Sequence, residues 1–191
     1  MPVVENRRYV NAPEFRAADD EQYIVRGYAS TFDSYQLYDD MNERIEPTAF
    51  DGTDFSDVIM QYDHTGRVYA RNSNGTLRLG VDDRGLWVEA DLSKTEGSRQ
   101  LYEDIRTGMI TQMSFAFTVG KDHFDKVTRT RVIEHIDKCY DVSAVSIPAN
   151  PFTQISARSY YDGVIEQERE EIAKAEERDK KVKILKLMLE V

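Results

Sequence analysis

Gln112-Met113-Ser114-Phe115-Ala116-Phe117-Thr118-Val119 alternates cleanly between bulky and small side chains. On an extended chain Met113, Phe115, Phe117 and Val119 fall on one side, and Ser114, Ala116 and Thr118 on the other. The bulky side belongs in a core. That leaves Ser114 as a small hydroxyl on a rigid strand with only small neighbours on its own face. Such a serine is either an ordinary strand residue or a nucleophile held in fixed position with an open approach. The stretch alone leaves both readings standing.

Further strands follow on both sides. Tyr23 to Phe32 is rich in aromatic and β-branched residues, with Gly27 marking a bulge or a close backbone approach. Asp33 to Asn42 is too irregular for a regular element, and Glu43-Arg44-Ile45-Glu46 is a short extended piece. Pro47 opens a helical turn around Thr48-Ala49-Phe50. Ser56 to Tyr62 reads as a strand that ends in the turn signal Asp63-His64-Thr65-Gly66. Gly75 to Val81 and Leu86 to Leu92 alternate about Asp82-Asp83-Arg84-Gly85 and form a hairpin. Between Ser93 and Thr107 the period changes: Ser93 or Thr95 can cap a helix, Leu101 and Ile105 stack at four-residue spacing, and Gly108 ends it. Lys121 to Asp125 reads as a turn. Thr128 to Ile136 and Tyr140 to Ile147 read as two separate strands, the second stopped by Pro148-Ala149-Asn150-Pro151.

Many short strands with few helical pieces indicate a mostly β, α+β protein of sandwich or barrel type. Residues 1–20 are polar and read as a flexible arm, 21–158 as the domain, and 159–191 as a charged helical tail. In the tail, Glu170 with Lys174, Glu176 with Lys180 and Glu177 with Lys181 have the favourable i,i+4 order, and Val182, Leu185 and Leu189 form a thin apolar stripe.

The 191 residues are 40% apolar and 31% charged, which suits a globular chain with a charged surface. No apolar run reaches bilayer-spanning length, so no membrane partner is expected. The formal charge of −10 argues against sequence-independent nucleic-acid binding. From Asp162 onward nine acids face seven bases, a net of −2, so −8 of that charge lies in the body. Cys139 is the one cysteine, which excludes an internal disulfide and suits a small buried filler better than a nucleophile.

A hydroxyl nucleophile needs a base, and the chain has three histidines: His64, His123 and His135. His64, where a strand gives way to a Gly-containing turn, has the best setting; His135 lies among charged residues and His123 in a polar turn. A base needs an orienting acid. Asp141 enters an otherwise apolar strand, which is costly without a partner. Asp63 is the poorer candidate, because neighbours on an extended chain point apart. A metal site is the rival: Asp63-His64 and Asp122-His123 occur, but without HExxH or a Cys/His ligand spacing, so neither metal nor cofactor is expected.

In order along residues 22–157, Arg26-Gly27-Tyr28-Ala29-Ser30-Thr31-Phe32, Glu43-Arg44-Ile45-Glu46-Pro47-Thr48-Ala49-Phe50, Val58-Ile59-Met60-Gln61-Tyr62-Asp63-His64, Gly85-Leu86-Trp87-Val88-Glu89-Ala90, Met113-Ser114-Phe115-Ala116-Phe117 and Asp141-Val142-Ser143-Ala144-Val145 through Pro151 resemble successive segments of the HK97-type prohead proteases of tailed bacteriophages. Those serine peptidases are related in fold to the herpesvirus assemblins. Thr48 and Ala116 stand where that family commonly has Gly, and Asp141 where it usually has Glu. The resemblance implies an assemblin-like β-barrel core flanked by helices. It also implies a serine endopeptidase with Ser114 as nucleophile, His64 as general base and Asp141 as orienting acid, and oxyanion donors from the backbone after Ile147. By the same likeness the substrates are scaffold protein, the scaffolding segment of the major capsid protein and the chain itself. The site of action is the procapsid interior in the host cytoplasm, and the state a homodimer or higher homo-oligomer. The alternatives are a non-enzymatic assembly or scaffolding protein that keeps the fold, and a metal-dependent hydrolase.

Overall fold

The structure is a computed structural model that describes residues 4–8, 16–19, 22–38, 41–146 and 166–182, the last without 168 and 179. Its strands are β1 (Val4–Arg8), β2 (Arg16–Asp19), β3 (Ile24–Thr31), β4 (Tyr35–Tyr38), β5 (Met41–Ile45), β6 (Ile59–Tyr62), β7 (Thr65–Arg71), β8 (Leu77–Val81), β9 (Gly85–Asp91), β10 (Gln112–Asp125) and β11 (Thr130–Val145). A helix, α1 (Glu96–Arg106), joins β9 to β10, and a short 3-10 turn spans Pro47–Phe50. Among the described residues seven strands form one sheet, with β1-β10-β11-β5-β4 in order and β6 and β7 branching from β11; β2-β3-β9-β8 form a second.

The two sheets share one apolar core. Met113, Phe115 and Phe117 of β10 meet Val25 and Ala29 of β3 and Leu86, Val88 and Ala90 of β9 in a single buried cluster. The rings of Phe115 and Phe117 stack with centroids 4.3 Å apart. The alternation read from Met113 to Val119 is therefore the core face of the central hairpin. The barrel implied by the family likeness is not closed: β3 and β10 pack across one another, but no ladder joins the two sheets among the described residues. The class, mostly β with short helices, is as expected.

Local signals located several elements well. The β8–β9 hairpin turns at Gly85, whose φ is +152°. A Cβ there would lie 2.0 Å from the Ser30 carbonyl oxygen, so only glycine fits. The Thr95 side chain caps α1 by accepting from Ser98 N–H, and Gly108, with φ +75°, follows its end. Proline starts the 3-10 turn.

Other expectations are corrected. The stretch from Asp33 to Asn42 is not irregular throughout: β4 lies within it and pairs antiparallel with β5, which begins at Met41 and whose residues 43–45 are the expected extended piece. β7 went unread because its first four residues are exposed and its Gly66 and two arginines hide any period. Residues 121–125 are not a turn but the far end of β10, which pairs along its length with β11 as a long bulged hairpin. β11 itself is one strand, not two. Its polar middle, Asp137-Lys138, looks like a break, but the ladder continues through register shifts. Val4–Arg8, read as part of a loose arm, pairs antiparallel with β10; polar composition conceals a strand whose main chain does the pairing.

Glu43 has a structural role. Fully buried, it accepts from Arg131 Nη1 at 3.3 Å and from the Tyr35 hydroxyl, while Arg131 also pairs with Asp122. These contacts tie β4, β5, β10 and β11 together away from Ser114. Burying both charges is tolerable because each is paired and hydrogen-bonded.

Residues 166–182 are helical and exposed where described, with Lys174–Glu170 at 3.2 Å and Lys181–Glu177 at 2.8 Å as the spacing predicts. Lys126 Nζ reaches Glu171 at 2.7 Å. Val182 is exposed, and Leu185 and Leu189 lie outside the described residues. No helix among the described residues is long and apolar enough to cross a membrane, which says nothing of a β-barrel.

Candidate active site

Two chain segments flank β11 at the site. β10 lies antiparallel on one side of it, with Ser114 opposite Ser143 and Ala116 opposite Asp141. Directly paired residues project on the same face, and so do residues two apart on one strand. Ser114, Ala116, Asp141 and Ser143 therefore share one face, opposite the Phe115 core face. β6 runs parallel to β11 on the other side, with Ile59 beside Asp141 and Tyr62 beside Ala144. It carries the chain past Ser143 and into the turn that holds His64.

That turn has two central residues, Asp63 and His64, between the paired Tyr62 and Thr65. Both have positive φ, 49° and 56°. This is the handedness a two-residue hairpin loop requires, and Asp and His are among the side chains that tolerate it best. Asp63 faces away from the imidazole. Its N–H donates to Ala144 O at 3.0 Å, and its carboxylate accepts from Ser146 N–H at 3.1 Å and Ser146 Oγ at 2.9 Å. The turn is thereby fastened to the end of β11. Asp63 is thus an anchor for the histidine turn, a role that adjacency in sequence does not reveal.

His64 Nε2 lies 2.5 Å from Ser114 Oγ, and its Nδ1 lies 2.6 Å from Asp141 Oδ1. A carboxylate can only accept, so Nδ1 carries the proton and Nε2 presents a lone pair to the serine hydroxyl. Asp141 Oδ1 also accepts from Ser143 Oγ at 2.7 Å. The side chains of His64 and Asp141 are 8% and 10% exposed, and Ser114 is fully buried. The expected open approach to Ser114 is therefore not seen: Ala116 and Thr118 on the same face are buried too. The shorter Asp side chain does reach the imidazole. Ser143 was not singled out by sequence reasoning, although its i,i+2 spacing from Asp141 on one strand face is a signal that could have found it.

The other candidates lie elsewhere. His123, on β10 rather than in a turn, is half exposed and 3.0 Å from Glu134. His135 is on the surface, 3.6 Å from Asp137. Asp122 pairs with Arg131. No group of three or more His, Cys, Asp or Glu side chains among the described residues is arranged to hold a metal. Cys139 is buried, and burial first, then the neighbouring Asp141 charge, pushes its thiol far above the usual range, which leaves it unreactive. The oxyanion donors expected after Ile147 lie outside the described residues.

A buried serine–imidazole–carboxylate relay can move a proton from an alcohol to a ring nitrogen whose resulting charge is balanced. The chain is 27% identical over 150 residues to the prohead protease of Enterobacteria phage HK97, an alignment covering 76% of this chain and 64% of that protein. It thus spans less than two thirds of the curated relative's length. No solved structure matches it. The family model for the caudovirus prohead serine protease matches residues 10–168. The chain belongs to that caudovirus prohead serine protease family.

Proposed function

We propose that this chain is a serine endopeptidase of phage procapsid maturation, with Ser114 as nucleophile, His64 as general base and Asp141 as the group that orients the base. The observation that carries the reading is the continuous relay from Asp141 Oδ1 through both nitrogens of His64 to Ser114 Oγ. As Ser114 Oγ adds to a peptide carbonyl carbon, its proton passes to His64 Nε2, and Asp141 balances the imidazolium. Collapse of the tetrahedral adduct breaks the C–N bond, and His64 returns the proton to the departing amine. Water, deprotonated by the same imidazole, then hydrolyses the acyl-serine and restores the hydroxyl.

The substrates in this reading are scaffold protein, the scaffolding segment of the major capsid protein and the chain itself, met inside the procapsid. Residues 21–158 form the peptidase unit, associating as a homodimer or higher homo-oligomer, and 159–191 the tail. Co-expression with capsid protein tests it: Ser114→Ala and His64→Ala each abolish processing while circular dichroism and melting stay as in the parent. Unchanged processing in both variants rejects it.

One observation favours a second reading. The helix at 166–182 is exposed and charged, as a segment that engages another component would be. A purely assembly-directed protein would lose function on deletion of 160–191 and keep it in Ser114→Ala; the peptidase gives the reverse for processing.

A further inference from the structure

β1 runs antiparallel to β10 in an unbroken register from Val4 opposite Thr118 to Arg8 opposite Ser114. The described strand thus ends at the serine. β1 is also the outermost strand of its sheet, so without it β10 would present a bare row of main-chain donors and acceptors from Ser114 to Thr118. Such an edge accepts an extended peptide by strand addition, with main-chain bonds supplying affinity largely independent of sequence.

Three further observations bear on what belongs there. Residues 4–8 precede the family-matched segment, which begins at residue 10. Ser114 is fully buried, although the chemistry requires a substrate carbonyl at Oγ. And opposed residues in an antiparallel pair lie only about 5 Å apart, so a chain in this register passes within a side chain's reach of the hydroxyl.

We propose that the β10 edge from Ser114 to Thr118 is the groove in which an extended substrate peptide pairs, and that the chain's own Val4–Arg8 holds that groove as an intramolecular competitor. This rests on the peptidase reading of Ser114. Access to the serine is then governed by release of β1, and a substrate segment enters by replacing it.

The test compares the full chain, a variant lacking residues 1–9, and Arg7→Pro, which at full length removes a main-chain donor that faces β10. Two readouts are taken: the labelling rate of Ser114 by a fluorophosphonate, and amide hydrogen exchange along β10. Both variants should label about tenfold faster or more, as expected when a site open only a tenth of the time becomes permanently open. Exchange at β10 should rise on the β1 side, and a synthetic peptide of residues 1–9 added to the truncated chain should reverse both effects. Equal labelling with unchanged β10 exchange overturns the proposal. So does loss of the whole fold in both variants, which would make β1 a structural strand. Absence of labelling in every form, with exchange still opened by truncation and closed by the peptide, supports the groove and its occupant while rejecting the peptidase reading.

Discussion

Replacing Asp141 by asparagine changes one oxygen to an NH2 group and removes a charge while keeping the side chain's shape. In the parent, Oδ1 accepts from His64 Nδ1 at 2.6 Å and from Ser143 Oγ at 2.7 Å, and the carboxylate is only 10% exposed, so water is poorly placed to substitute for it. An amide that turns its NH2 toward Nδ1 forces the imidazole proton onto Nε2, which then offers Ser114 a donor instead of a lone pair. An amide that keeps its oxygen there cannot balance the imidazolium. Either way the relay is interrupted without disturbing the fold. By the behaviour of comparable triads the loss is about 10⁴ in turnover, or about 5.5 kcal/mol at 1.36 kcal/mol per decade. Removing the nucleophile costs about 10⁶, so Asp141→Asn should remain measurably above Ser114→Ala. The assay is the cleavage rate of purified capsid protein, read beside a thermal melt of each variant, with the Asp141→Asn/Ser114→Ala double variant no slower than Ser114→Ala alone. Full activity in Asp141→Asn would refute the role of the carboxylate. A loss equal to that of Ser114→Ala, at unchanged melting temperature, would refute the ranking.

Ser143→Ala removes the second donor to Asp141 Oδ1 but leaves the imidazole bond; a hydrogen bond to a charged group is worth roughly 1.5–3 kcal/mol, so turnover should fall by about ten- to a hundredfold, mostly in kcat. An unchanged kcat would make Ser143 a bystander. Cys139 should resist iodoacetamide at neutral pH in the native protein and react at once in guanidinium, because burial both shields and protonates the thiol; rapid native alkylation would contradict the packing. Asp54 is held well below the ordinary carboxylate range, first by the Lys138 ammonium and then by Ser56. Its contribution to stability is therefore present above the unfolded carboxylate pKa and disappears as pH falls through the lower folded value. Asp54→Asn should thus melt earlier than the parent at neutral pH and converge with it in strong acid. A gap that persists at the lowest pH would argue against this ion pair as its source.

Much of the site was legible in the residues themselves. The alternation around Ser114 separates a core face from a face of small side chains, because side-chain direction on a strand has a strict period of two. The Asp63-His64-Thr65-Gly66 turn, the Thr95 cap, the Gly108 stop and the Gly85 hairpin were readable for the same kind of reason: each depends on sterics and hydrogen bonds among neighbours a few residues apart. The long hairpin of β10 and β11 was read as shorter pieces, since its bulges interrupt the period that marks a strand.

What sequence alone determined is the set of local shapes and the chemical types available to a site. Which residues meet was decided by tertiary structure: the parallel placement of β6 on β11, the register that sets Ser114 opposite Ser143, the Asp63 anchor on Ser146, and the β1 strand beside the serine. Ladder bonds join main-chain groups that every residue carries, so pairing between strands far apart along the chain leaves little trace in side-chain identity. It is selected by how all the faces pack together at once.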